Sequence, residues 1–250
     1  DGSWTYFGAD LAYHFQKSQN ADELIDIWGA DHAGTVKRIK AAVAALTGGK
    51  TRFDVKLVQM VRLLKNGEPF KMSKRAGNFV TLADVVDEVG KDAVRFTMLT
   101  RKADAQMDFD FAKVVEASRD NPVWYLQYAN ARISRLRKKA QDAGIVLPAP
   151  APARLNAHEL GLVKLLAQFP RIVEAAASAR EPHRIAFYLA DVAAAFHAWY
   201  NLGNDDPGLR IVLDNDPELT ATRLYLADGI GQVIRNGLSL MGVEALEEMN

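Results

Sequence analysis

Apolar positions change period within the first fifty residues. In "LIDIWGADH", Ile25, Ile27 and Trp28 lead up to a glycine; in "GTVKRIKAAVAALTGG", Val36, Ile39, Val43 and Leu46 follow at helical spacing and stop at Gly48 and Gly49. The pattern predicts a strand, a turn and a helix. In "DVKLVQMVRLLKNGEPFKMSK", Val55, Leu57, Gln59, Val61 and Leu63 alternate until Asn66 and Gly67, which predicts a hairpin. The stretch after it, "FKMSKRAGNF", then lies on a loop.

Beyond residue 118 the pattern is almost wholly helical. Leu126, Ala129, Ile133, Leu136 and Ala140 recur at three and four; so do Leu162, Leu166, Phe169 and Val173; Ile185, Leu189, Val192, Phe196 and Trp199; and Leu219, Leu226, Ile230, Val233 and Leu238. Four amphipathic helices predict a bundle. The prolines of "GIVLPAPAPARLN" predict an extended linker, Pro170 a kink in the second helix, and Pro182 the first turn of the third. The expected fold class is thus α/β followed by all-α.

Charge changes this picture by its placement rather than its sum. Lys+Arg and Asp+Glu both number 31, so no global basic field exists and any nucleic-acid surface must be local. One segregated stretch is visible. Between 119 and 142 stand Arg119, Arg132, Arg135, Arg137, Lys138 and Lys139 against Asp120 and Asp142. Tyr125, Tyr128, Arg132, Arg135 and Lys139 share one helical stripe, either rings and cations for RNA or core tyrosines beside a solvated face. Absence of cysteine removes disulfides, thiolate zinc sites and cysteine nucleophiles, and no histidine spacing makes a metal site. No run approaches the roughly 18 apolar residues of a membrane span, so the chain reads as soluble.

The loop carries Lys71, Met72, Ser73, Lys74 and Arg75. Three cations beside a glycine form either a solvated loop or a clamp for a triphosphate, where two ammonium groups stabilise charge developing at phosphorus. This loop resembles the KMSKS signature of class I aminoacyl-tRNA synthetases, with Arg75 where the final serine often stands. "GADHAGTVKRIKAAVAAL" is similar to the glycine and acid segment after a Rossmann strand in that class. "DGSWTYFGADLAYHF", "GKDAVRFTMLTRKADAQMDFDF", "DNPVWYLQYANARI" and "GLSLMGVEALEEMN" resemble arginyl-tRNA synthetases in the same order, across essentially the whole chain.

That resemblance implies the second part of a Rossmann-type class I core followed by a helical anticodon-binding domain. Residues 1–80 would be the second half of the catalytic domain, 81–118 a connecting segment, and 119–250 the anticodon-binding bundle. Lys71 and Lys74 would be catalytic. Gly29, Asp31, His32, Met72 and Ser73 would bind ATP, Tyr6 and Asp10 the guanidinium of arginine, and the stripe from Tyr125 to Lys139 tRNA. A carboxylate suits a guanidinium because both are planar and meet in bidentate fashion. ATP with magnesium, arginine and tRNA(Arg) are the implied partners, the cytoplasm the implied compartment, and no prosthetic group is implied. His14 receives no role. No histidine belongs to an HIGH-type signature, so the resemblance implies a carboxy-terminal portion that is inactive alone. A non-catalytic tRNA-binding module and a cysteinyl-tRNA synthetase relative are the alternatives.

Overall fold

The computed structural model describes residues 3–70, 81–118 and 120–249. Two compact units emerge: the chain up to Arg62 with Lys102–Asp108, and Leu63–Arg101 with Phe109 onward.

The first unit contains helix α1 (Tyr6–Ser18), strand β1 (Glu23–Gly29), a 3-10 turn (Ala30–Thr35), helix α2 (Val36–Thr47) and strand β2 (Arg52–Val58). The strands pair in parallel from Glu23 opposite Arg52 to Gly29 opposite Val58, with α2 as the crossover. Ile39 and Val43 of α2 are buried with Leu24 of β1 and Val55 of β2. The helix stops where expected, because Gly48 (φ 59°) adopts the left-handed cap that a side chain disfavours.

The alternation through residue 63 does not form one strand. At Gln59 the backbone N–H leaves the ladder for Ala103 O (2.8 Å), and Met60 N–H bonds the Gln59 side chain (3.0 Å). The chain resumes as β3 (Val61–Lys65) in a different sheet, ordered β4–β3–β5 with β4 at Glu68–Pro69 and β5 at Met107–Asp110. The hairpin itself is present. Asn66 (φ 54°) and Gly67 (φ 81°) both turn left-handed, as a two-residue hairpin loop requires. Buried Asp110 accepts from the N–H groups of Asn66 (3.2 Å), Gly67 (2.6 Å) and Ala112 (3.0 Å), which fixes the turn.

Helices α3 (Leu82–Val89) and α4 (Lys91–Leu99) precede a bundle of α5 (Pro122–Asp142), α6 (Ala157–Leu166), α7 (Phe169–Ala179), α8 (His183–Asp205) and α9 (Pro217–Leu240). Where sequence periodicity predicts one kinked helix through Pro170, the structure breaks into α6 and α7. Pro170 supplies no N–H to the preceding turn and sits instead at the start of α7. The Tyr188 hydroxyl donates to the carbonyl of Leu165 (2.9 Å), satisfying an acceptor at the break. Leu126 and Ile133 of α5, Leu189 and Phe196 of α8, and Ile230 and Ile234 of α9 build the core. One ion pair is sealed inside it: Arg223 Nε donates to Glu159 Oε1 (2.7 Å), with side chains 4% and 1% exposed. The linker has no regular structure from Ile145 to Ala151, but where the prolines predict an extended chain throughout, Pro152–Arg154 wind into a 3-10 turn; it is tied down through Ala151 N–H to Thr222 Oγ1 (2.8 Å) and Arg154 to Asp216 (2.7 Å). Among the described residues no helix is long and apolar enough to cross a membrane.

Candidate functional site

A cavity of about 1010 Å³ in the first unit is lined from α1 by Tyr6 and Asp10, from the end of β1 by Gly29 and from the following 3-10 turn by His32. The two candidate groups, one for a guanidinium and one for a nucleotide, therefore face one space. Tyr6 and Asp10 lie one helical turn apart on α1, and Tyr6 is 94% exposed. Among the described residues the Asp10 carboxylate makes no hydrogen bond or ion pair, so its lone pairs are available. A methyl group at Gly29 would collide with Asp31 Oδ1, so glycine lets the backbone and the acid approach. Asp31 and His32 pair at 3.5 Å in the 3-10 turn and are both exposed; Asp31 does not line the cavity. Lys71, Met72, Ser73 and Lys74 lie outside the described residues.

The same cavity contains three residues that the periodicity leaves unassigned. His14, 4% exposed, contacts Asp26 Oδ2 through Nε2 (2.7 Å), and Lys17 Nζ donates to Asp26 Oδ1 (3.1 Å). The strongest single influence on Asp26 is burial, which pushes its carboxyl up; the hydrogen bonds from His14 and Lys17 together outweigh it and hold the group below the usual carboxylate range. A signal existed in sequence. Asp26 interrupts the apolar run "LIDIWG", and His14 and Lys17 follow Asp10 at helical spacing.

On α5 the stripe is only partly a surface. Tyr125 is half-buried with its ring 4.2 Å from that of His197, whereas Tyr128 stacks on Trp124 at 4.8 Å. The Arg132 guanidinium lies over Tyr128 (4.3 Å) and Tyr200 (4.5 Å), close enough for cation–π attraction to each. Its Nη1 donates to His197 Nδ1 (3.0 Å), and His197 Nε2–H donates to Tyr125 O (3.2 Å). Burial above all holds that imidazole down at about 4. Arg135 donates to Met249 O (2.7 Å), and Lys139 is exposed with no partner among the described residues. Trp124 and Tyr200 extend this array. Tyr200 is invisible to a one-helix pattern because it comes from α8.

Family models divide the chain at the same change of pattern. The model for tRNA synthetases class I (I, L, M and V) matches residues 14–111, and that for the DALR anticodon binding domain matches 126–249. An arginine–tRNA ligase of Novosphingobium aromaticivorans is 69% identical over the whole chain, and that of Azorhizobium caulinodans 55%. Over its whole length the chain is similar to arginyl-tRNA synthetases. It spans 44% of the length of these synthetase relatives. A Campylobacter jejuni protein solved as an arginyl-tRNA synthetase is 35% identical, with TM-score 0.84 over 100% of this chain and 53% of its own. Thermus thermophilus arginyl-tRNA synthetase, at 22% identity, shares the fold with TM-score 0.76, covering 99% of this chain and 50% of its own.

Proposed function

We propose that the protein serves as part of an arginine–tRNA ligase and does not catalyse the reaction alone. The arginine carboxylate attacks the α-phosphorus of ATP and pyrophosphate leaves; a hydroxyl of the terminal ribose of tRNA(Arg) then takes the arginyl group from the adenylate, and AMP leaves. The observation that carries this reading is identity of 69%, across the whole of this chain, with an arginine–tRNA ligase of which it spans 44%. The cavity supports it by setting Tyr6 and Asp10 opposite Gly29 and His32. Asp10 takes the guanidinium in bidentate fashion with Tyr6 alongside. Gly29, Asp31 and His32, together with Met72 and Ser73, receive ATP, which brings magnesium as its complex. Lys71 and Lys74 neutralise charge developing on the phosphates in the transition state. Residues 1–80 serve as the second half of the catalytic domain, 81–118 as the connection, and 119–250 as the anticodon-binding domain, in the cytoplasm. The array of Tyr125, Tyr128, Arg132, Arg135 and Lys139 supplies the tRNA contact.

The test is arginine-dependent exchange of pyrophosphate into ATP, with tRNA present, in an enzyme carrying these residues in a complete catalytic domain. Lys74→Ala is expected to slow activation about 100- to 1,000-fold with little change in arginine affinity, because its contact belongs to the transition state. Asp10→Asn is expected to weaken arginine binding most, since guanidinium donors lose their ionic partner. No arginine-dependent exchange, or equal loss of arginine affinity in both variants, would overturn the assignment.

A further inference from the structure

Two carboxylates, Asp10 and Asp26, line the cavity, and they are in opposite conditions. Both oxygens of Asp26 are occupied, Oδ2 by His14 Nε2 and Oδ1 by Lys17 Nζ. Asp10 is left open on its side chain, but its main-chain carbonyl is held: His14 Nδ1 reaches Asp10 O at 2.6 Å. The imidazole therefore bridges the backbone of the residue proposed to bind arginine and a carboxylate on β1. Both acceptors, a carbonyl and a carboxylate, can only receive protons, so each ring nitrogen faces an oxygen to which an N–H can donate. Phe53 of β2 packs edge-on against that ring at 4.9 Å and limits its rotation.

We propose that His14 is a positioning residue for the arginine site: with Asp26 and Lys17 it clamps α1 to β1 and so sets Asp10 at the cavity. The clamp has a second consequence. It neutralises Asp26, which leaves Asp10 the carboxylate of the two that can pair with an incoming guanidinium. A bound arginine would otherwise meet two competing acids, and its fork could settle on the wrong one. Binding geometry of this kind is set by the supporting hydrogen bonds as much as by the contacting group. Holding α1 by main-chain and side-chain bonds together matters here because the helix has few buried side chains: His14 is the only fully buried residue along it.

This inference rests on the ligase reading for its substrate, and its test separates the two in two arms. The first uses the 250-residue chain and needs no substrate. His14→Leu, which fills the space without either hydrogen bond, is expected to speed amide exchange across Tyr6–Ser18 at least tenfold while the bundle helices are unchanged; His14→Gln, whose amide can still reach Asp26, should recover most of the protection. Unchanged exchange along α1 would overturn the clamp. The second arm uses a complete enzyme carrying these residues. There His14→Leu should raise the KM for arginine at least tenfold, with kcat within threefold and the KM for ATP unchanged, and His14→Gln should return the arginine KM to within about threefold. A loss confined to kcat, or an arginine KM within twofold of the parent, would overturn the positioning role. If the unsubstituted enzyme does not use arginine, the ligase reading falls and the positioning role falls with it, while the first arm still decides whether the clamp exists.

Discussion

The two units bury their apolar side chains to different extents. On β1 of the first, Ile25 is 47% and Ile27 71% exposed, whereas Phe196, Ile230 and Ile234 of the bundle are fully buried. The helical unit closes its core from its own elements. The first leaves part of its sheet face open and holds its site with polar ties. Phe196→Ala is therefore expected to cost about 3–5 kcal/mol, through lost transfer energy and the cavity left behind. Ile27→Ala should stay within about 0.5 kcal/mol. Urea unfolding of each variant measures both. An Ile27→Ala cost above about 2 kcal/mol would break the comparison, because it would mean that the strand face is covered in solution.

Ion pairs sharpen the same contrast. Arg223 and Glu159 form their pair with almost no solvent access, and Arg223 Nη1 also donates to the carbonyls of Gly208 (3.0 Å) and Arg210 (2.6 Å). Arg223→Met leaves a buried carboxylate without its cation, and the expected loss is about 3–5 kcal/mol. Lys40 and Asp54 of the first unit pair at 2.8 Å but are 39% and 28% exposed. Water and salt screen them, so Lys40→Met should cost less than about 1 kcal/mol. Equal costs in denaturant titrations would refute the distinction between sealed and wet pairs.

What was legible in sequence follows the same division. Helical periodicity located the bundle because each helix buries one continuous stripe, and the glycine pair after Leu46 marked the end of α2 because only left-handed backbone fits there. The pattern failed where a tertiary partner decided the outcome. Alternation from Val55 to Leu63 looked continuous, yet Gln59 bonds Ala103, more than forty residues away, and the strand ends. Pro170 predicted a kink, but Tyr188 from another helix caps the break and lets two helices form. Tyr6 and Asp10 can be paired from sequence because one helix carries both, and both line the cavity. The link from His14 to Asp26 joins a helix to a strand, and no single-element spacing encodes it.

Within the bundle, His197 gives a pH test. Its ordinary value is 6.5 and burial takes it to about 4, against a smaller upward pull from the bond to Tyr125 O; the charge of Arg132 adds to the depression. Between these values the unfolded chain binds a proton that the folded chain does not, so stability falls as pH falls through this window and is full above 6.5. The contribution reaches up to about 3 kcal/mol. His197→Asn should flatten the pH dependence of unfolding free energy between these limits. An undiminished slope in that variant would assign the acid sensitivity elsewhere.

The smallest expected effect distinguishes the two sides of α5. Arg137 forms a bidentate pair with Asp228, so its charge is already neutralised. Arg132 and Arg135 are cations of another kind. Arg132 rests between two rings and on a neutral imidazole, and Arg135 donates to a backbone carbonyl, so neither has a carboxylate partner among the described residues. A phosphate is the partner that such charges lack. If this face contacts tRNA, log affinity falls linearly with log salt, and Arg132→Gln with Arg135→Gln should flatten the slope by roughly 1–2 units. Arg137→Gln should leave the slope nearly unchanged, because no condensed counterion is displaced by a charge that Asp228 has cancelled. Filter binding of tRNA across a salt series distinguishes the variants. A slope that responds to Arg137→Gln and not to the other pair would move the RNA contact to the α9 side of the helix, and an unchanged slope in all of them would take α5 out of the interface.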